Sequence, residues 1–303
     1  MNKLRLAIST CPNDTYAFHA ILNRKIDYEG LQFEFELLDI QQLNDGLFDG
    51  QFDVAKASMH AALYLTESTV ILPVGAALGF GVGPLLLSKR PYQLDSAGRV
   101  IAPPKGDSSV PESDDGHDLN RTKRLIALCP GKYTTATFLF QSLISADAEL
   151  RQVVFSKIMP ALKDGNADLG VCIHEGRFTW KDQGLYCVAD LGTLWESATN
   201  VPLPLGGILA KKELGPDIHR QVTSVIRRSI EYANQHRQET LPTMRKYAQE
   251  LSDSVLMAHV DLYVNEWTID LGEQGRQALD ALLIRAKEIG LVGESTLLDV
   301  VSA

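Results

Sequence analysis

Long basic runs are missing from this 303-residue chain, whose densest clusters are the pairs Lys211-Lys212 and Arg227-Arg228. The formal net charge is −9 and the sequence pI about 5.3. A protein that neutralises nucleic-acid phosphates or an anionic membrane surface needs a basic face, so both partner classes are disfavoured. No apolar run reaches the ~18 residues that a membrane span requires. The N-terminus alternates apolar and polar residues and lacks the continuous apolar stretch of an export signal, so a cytoplasmic location is expected. Cysteine is scarce: Cys11, Cys129, Cys172 and Cys187 form no C-x-x-C pair and no zinc-type spacing with histidine, and are expected as reduced, mostly buried thiols. The G-x-S-x-G, Walker A and H-E-x-x-H signatures are also missing. Gly79-Phe80-Gly81-Val82-Gly83-Pro84 looks like a phosphate loop only in composition. It precedes an apolar strand pattern where a phosphate loop would join a strand to a helix, and it reads as a flexible turn.

What is present is the alternating grammar of an α/β protein. Strand patterns at 4–10, 33–38, 52–58, 70–77 and 84–88 interleave with helical spacing at 16–22, 41–49 and 59–66. The same grammar returns with strands at 124–128 and 169–173 and helices at 134–143 and 155–163. Gly50-Gln51-Phe52-Asp53 and Gly165-Asn166-Ala167-Asp168 each follow a helix and open a buried strand, which suggests two similar lobes. After a strand at 207–210, helical periodicity dominates over 217–234, 241–251, 254–263 and 272–289. The expected division is discontinuous: 1–97 with 206–303 as one lobe and 98–205 as the other, around an interdomain cleft. Residues 103–122, rich in Pro, Gly, Ser and Asp, are expected as a solvated insertion.

Ligands of open α/β sheets sit beyond the carboxyl ends of strands. Four such junctions carry polar residues: Ser9 to Thr15, Lys56 to His60, Pro130 to Ala136 and His174 to Arg177. Ser9, Asn13, Asp14 and Thr15 would line a cleft; Asn13, Asp14 and Thr15 also suit helix capping. Lys56-Ala57-Ser58 ends a buried strand, where a lysine needs a partner or a ligand. Thr134 and Thr135 open a helix after Gly131 and suit a carboxylate or ketone oxygen, or plain N-capping. His174 ends a strand and is the natural acid–base group, with a surface histidine as the plainer alternative. Glu175 either orients that ring or faces solvent, and His19 and His60 are expected to pack inside helices.

Taken together, Ser9-Thr10-Cys11-Pro12-Asn13-Asp14-Thr15, the stretch 76–84, Pro130-Gly131-Lys132-Tyr133-Thr134-Thr135-Ala136, Ile173-His174-Glu175-Gly176-Arg177-Phe178-Thr179 and Pro204-Leu205-Gly206-Gly207 resemble the 1,4-dihydroxy-6-naphthoate synthase family of the menaquinone futalosine route. Tyr263-Val264-Asn265 and Asp270-Leu271-Gly272 extend the resemblance to the C-terminal helices. It implies a type II periplasmic-binding-protein-like fold. It also implies a carbon–carbon lyase converting cyclic dehypoxanthine futalosine to 1,4-dihydroxy-6-naphthoate, without metal or redox cofactor. His174 would be the general base, and Lys56, Ala57, Ser58, Thr134 and Thr135 would bind a small substrate carrying a carboxylate. A homodimer is compatible with the reading. The stretch 103–122 departs from the family pattern but lies off its motifs. The alternatives are the chorismate dehydratase sister enzyme, a non-catalytic binding protein, and an inactive regulator that keeps the cleft.

Overall fold

The computed structural model describes residues 3–101, 124–173, 176–248 and 252–302. The stretch 103–122, His174 and Glu175 lie outside the described residues. The chain forms two compact units: Met1–Val82 with Val201–Ala303, and Gly83–Asn200.

The first unit begins with β1 (Lys3–Ser9), α1 (Pro12–Ala17), α2 (His19–Leu22), β2 (Gln32–Leu38), α3 (Ile40–Phe48), β3 (Val54–Ser58), α4 (Met59–Ala62) and β4 (Thr69–Gly79). Every residue of β3, inside the sheet, and of β4, its last strand, is buried, in keeping with their nearly unbroken apolar runs. The second unit comprises β5 (Leu85–Ser88), β6 (Gln93–Leu94), β7 (Val100–Ile101), β8 (Leu125–Cys129), α5 (Thr135–Leu143), β9 (Ala148–Gln152), α6 (Ile158–Lys163), β10 (Leu169–Cys172), α7 (Gly176–Thr179), β11 (Tyr186–Asp190) and α8 (Leu191–Thr199). The chain then returns to the first unit with β12 (Leu203–Lys211), α9 (Gly215–Gln235), α10 (Arg237–Tyr247), α11 (Asp253–Tyr263), α12 (Glu266–Ile269) and α13 (Gly272–Glu288).

Each unit is built on one five-stranded sheet, ordered β2-β1-β3-β12-β4 in the first and β11-β5-β10-β8-β9 in the second. In the first, β1 runs parallel to β2 and β3, while the returning strand β12 is antiparallel to β3 and β4. In the second, β8 runs parallel to β9 and β10, and β5 is antiparallel to β10 and β11. This pairing of β5 places it in the second unit, which begins at Gly83 and not at residue 98, and the pairing of β12 with β3 and β4 places the whole of that strand in the first unit, which resumes at Val201 and not at residue 206. A strand hydrogen-bonded on both edges to the second sheet belongs to that sheet, whatever its place in the chain.

The two Gly-x-x-Asp segments have one structural reason. Gly50 and Gly165 both take a positive φ, of 66° and 73°, and end a helix. The aspartate that follows then meets the parallel neighbour of the strand it leads into. Asp53 accepts from the Arg5 N–H at 2.8 Å, and Asp168 accepts from the Ile126 N–H at 2.8 Å.

α9 carries the helical side of the first unit's core. It starts with Pro216 in its first turn and buries Val222, Val225, Ile226 and Ile230 on one stripe against Leu6, Ile8, Phe18, Leu72 and Val74. Each such side chain contributes roughly 1.5–3 kcal/mol by leaving water. In the second unit Leu87, Leu128, Ile158, Leu162 and Cys172 form the sheet–helix core. There Gly83 and Gly192 lie so close that a Cβ on Gly83 would fall 2.2 Å from the Gly192 Cα. That approach, next to the Leu191 N–H to Pro84 carbonyl bond of 3.0 Å, gives the glycine-rich segment a packing role at its last glycine. Among the described residues, no helix is long and apolar enough to cross a membrane.

Candidate functional site

In the first unit the polar residues gather where β1 and β3 end. Ser9 closes β1, and the turn through Cys11 leads into α1, whose first residue is Pro12. Asp14 is buried there, so its carboxylate must be matched by donors. It receives the Ser9 hydroxyl at 2.6 Å, the Asn13 amide at 3.1 Å and the Lys56 ammonium at 2.7 Å. Lys56 also donates to the Gly75 carbonyl at 2.9 Å. Gly75 holds a φ of 76°, and a Cβ at that position would strike Ile208 at 2.6 Å. Both partners of the Lys56–Asp14 pair are only 4% exposed. The lysine that a buried strand end seemed to reserve for a ligand therefore has an internal counter-ion.

β3 pairs with β1 only through Val54 and Ala55, so Lys56, Ala57 and Ser58 run on past that ladder. Asn44 of α3 takes over: its carbonyl oxygen accepts from the Ser58 N–H at 3.0 Å and its amide donates to the Ser58 hydroxyl at 3.1 Å. The Ser58 hydroxyl proton keeps its donor capacity, because its oxygen is the acceptor in that bond. Thr15 turns inward, its hydroxyl bonded to the Cys11 carbonyl at 3.0 Å. His259 of α11 reaches the same corner and meets the Asn13 carbonyl oxygen through Nε2 at 3.1 Å.

In the second unit Thr134 is the N-cap of α5. Its hydroxyl accepts from the Thr137 N–H at 3.3 Å and lies 2.8 Å from the Gly131 carbonyl, which also receives the Thr137 hydroxyl at 2.7 Å. Thr134 and Thr135 are both buried at that helix start. The Thr134 side chain thus serves the capping role, and the positive end of α5 is the part of this junction suited to an anionic oxygen. Cys129 ends β8 and Cys172 ends β10, both buried. Burial pushes both thiols up to about 12, so neither is a thiolate nucleophile at neutral pH.

β10 ends at Cys172 and α7 starts at Gly176, with His174 between them in the sequence. Arg177 anchors α7. Its guanidinium donates to the Gly83 carbonyl at 2.5 Å and to Asp190 at 2.7 Å. Asp190 in turn caps α8 by accepting from the Gly192 and Thr193 N–H groups at 2.9 and 3.2 Å. One carboxylate thereby ties α7, the start of α8 and the Gly83 turn together.

Ser9, Asp14, Lys56 and Ser58 all lie at one corner of the first unit, with Asn13 bonded to Asp14. Asn44, His259, Arg177 and Asp190 complete the two corners but were not singled out for a role by sequence position. Only Arg177, three residues after His174 in a quoted motif, carried a local signal. His19 and His60 are buried within helices. Among the described residues, no group of three or more His, Cys, Asp or Glu side chains could hold a metal ion.

Residues 4–111 and 113–288 match a family model described as menaquinone biosynthesis. A Thermus thermophilus protein named 1,4-dihydroxy-6-naphtoate synthase is 37% identical over 97% of this chain and 98% of its own length. A Streptomyces coelicolor protein of the same name is 36% identical over 95% of this chain and 94% of its own. Among solved structures, a structural-genomics protein from Archaeoglobus fulgidus matches with a TM-score of 0.82 and 29% identity, covering 96% of this chain and 98% of that one. The alkanesulfonate-binding protein SsuA from Xanthomonas axonopodis matches with a TM-score of 0.66 at 14% identity, over 98% of this chain and 96% of that one. That likeness, shared with other binding proteins, shows the periplasmic-binding-protein fold.

Proposed function

The chain belongs to the menaquinone biosynthesis family, and from that premise we propose that it is a 1,4-dihydroxy-6-naphthoate synthase. Its reaction is the cleavage of cyclic dehypoxanthine futalosine to 1,4-dihydroxy-6-naphthoate with release of a small sugar-derived fragment. Similarity along nearly the whole length of two proteins of that name carries the assignment.

His174 acts as the general base, removing the acidic proton beside the substrate ketone. The electron pair drives expulsion of the sugar-derived carbons, and aromatisation of the new ring makes the step downhill. Its place in the sequence directly after β10, at the carboxyl end of a strand where ligands of α/β sheets bind, supports this role. The α5 N-terminus behind Thr134 and Thr135 holds the substrate carboxylate or the developing oxyanion, as a helix dipole favours. Ser58 supplies a hydroxyl donor, while Lys56 acts through the corner that it and Asp14 build. A cytoplasmic location and a homodimer complete the reading, the latter checked by sedimentation.

The test is product analysis with purified wild type and the variant His174→Ala. Wild type releases the naphthoate, and the variant loses about 10²–10⁴-fold in kcat, the usual contribution of general-base catalysis, with its circular dichroism unchanged. Near-full turnover by His174→Ala would remove the histidine from this role. Substrate binding without turnover by wild type would make the chain a binding protein.

A further inference from the structure

The sequence motif around Asn13 shows a polar residue at a strand end, and the structure shows what holds it. Asp14 is buried, and its carboxylate oxygens take the Lys56 ammonium at 2.7 Å and the Ser9 hydroxyl at 2.6 Å. An ionised carboxylate only accepts hydrogen bonds. The Asn13 atom 3.1 Å from Asp14 Oδ1 must therefore be its amide nitrogen, which fixes the carboxamide the other way round for its oxygen. That oxygen lies 3.1 Å from His259 Nε2 and can only accept. The proton of His259 thus sits on Nε2. Charge at one end of the chain, Lys56–Asp14, sets the amide orientation and, through it, a histidine tautomer on a helix 246 residues further on.

His259 is itself well held. α11 is capped by Ser252, whose hydroxyl accepts from the Val255 N–H, and the Tyr263 ring packs on the imidazole with centroids 4.5 Å apart. Tyr263 is anchored by its hydroxyl to the Val82 carbonyl at 3.4 Å. Asn13, by contrast, is only half-buried, and its second amide N–H has no protein partner among the described residues. It stands at the carboxyl end of β1, beside the end of β3, where ligands of such sheets bind.

We propose that Asn13 gives this N–H to a neutral oxygen of the substrate, a ketone or sugar hydroxyl, and that His259 is the positioning residue that keeps it pointing there. The proposal rests on the naphthoate synthase reading. The oxygen is neutral because the cation of this corner already faces its own carboxylate, leaving only dipolar donors, the Asn13 N–H and the Ser58 hydroxyl. Without His259 the carboxamide keeps only its bond to Asp14, and the donor is held at one end instead of two. The ring supplies its Nε2 proton in both its neutral and its charged form, so the positioning persists as pH falls.

The test uses the full chain with cyclic dehypoxanthine futalosine, together with ¹⁵N spectra of the histidine side chains at a pH where the ring is neutral. Asn13→Ala raises KM roughly tenfold with kcat within about threefold, the pattern of a lost binding contact. His259→Asn, whose shorter amide falls short of Asn13, shifts KM in the same direction. His259→Gln, which carries a nitrogen near the Nε2 position, recovers most of that loss. The double variant Asn13→Ala/His259→Asn is no worse than Asn13→Ala, because the histidine acts only through the asparagine. The spectra show Nε2–H in wild type. Full additivity in the double variant, an unchanged KM in Asn13→Ala, or an Nδ1–H tautomer would each overturn the proposal. If wild type shows no turnover, the function above fails, and the tautomer still decides the positioning of Asn13. If the His259 variants do not fold, the wild-type tautomer and the Asn13→Ala kinetics decide it.

Discussion

Replacing Lys56 by methionine keeps an unbranched side chain one atom shorter and removes its charge. Asp14 is then left with two neutral donors, the Ser9 hydroxyl at 2.6 Å and the Asn13 amide at 3.1 Å, at a site 3% exposed. Breaking a buried ion pair from one side costs about 3–5 kcal/mol, because the remaining charge cannot be solvated. The Gly75 carbonyl loses its ammonium donor as well. For a folding unit of 150–250 residues each kcal/mol lowers Tm by about 2–4 °C, so Lys56→Met should melt about 6–20 °C below wild type. Scanning calorimetry reads this directly. The companion variant Asp14→Asn/Lys56→Met removes both charges, and a coupling of roughly 0.5–3 kcal/mol should make it more stable than the sum of the single changes. A Lys56→Met protein melting within about 2 °C of wild type would refute the reasoning. The ammonium would then not be needed by Asp14, and Lys56 would return as a direct cation for the substrate.

Arg177→Met removes a guanidinium that ties α7 to Gly83 and Asp190, at a cost of about 2–3 kcal/mol, and should lower kcat more than it raises KM. Arg177→Lys should not restore kcat, since a single ammonium does not reproduce the fork; recovery of kcat by lysine would refute the clamp. Gly83→Ala places a methyl 2.2 Å from the Gly192 Cα and should destabilise the second unit by about 1–3 kcal/mol, measured by urea unfolding; an unchanged midpoint would contradict the close approach. The thiols of Cys129 and Cys172 rise from an ordinary 9.0 to about 12 by burial, so they stay protonated in the folded chain while the unfolded chain ionises. Their contribution is complete below about pH 9 and is lost as pH rises toward 12, at up to about 1.4 kcal/mol per unit for each thiol. Cys129→Ala should flatten that alkaline decline in unfolding free energy, and an unchanged slope would show that other groups cause it.

The layers of the fold were legible because the most deeply buried strands are written in apolar runs. β3 and β4 are buried along their whole length, and the amphipathic stripe of α9 has a period that the sequence states openly. The second unit's outer strands were not legible. β9 reads Ala-Glu-Leu-Arg-Gln and β11 reads Tyr-Cys-Val-Ala-Asp, and both lie at sheet edges. These two edge strands owe their conformation to the neighbours they pair with and have little buried surface to mark them. α8, which follows β11, was missed with it, since its N-cap Asp190 ends that strand. The helix expected at 59–66 stops at Ala62, where a turn rises to meet β4. The end of a short helix is set by tertiary contacts more than by spacing.

The residues of the site divide the same way. That Ser9, Asn13, Asp14, Lys56 and Ser58 sit at strand ends follows from the α/β rule, and no contact needs to be known to say so. What each residue does depends on partners far along the chain: Lys56 on Asp14, 42 positions away, and Asn13 on His259, 246 positions away. The two Gly-x-x-Asp segments mark the limit. In both units the motif sets the same backbone contact, Asp53 to Arg5 and Asp168 to Ile126, and it leads into a buried strand. The repeat thus encodes how a strand enters its sheet. Beyond the strands the units diverge: β3 ends in an internal ion pair, while β10 ends in a protonated thiol and the link that carries His174. The polar residues cluster at the carboxyl ends, where β3 has run past its ladder with β1, and there a single sequence shows residue types without their pairings.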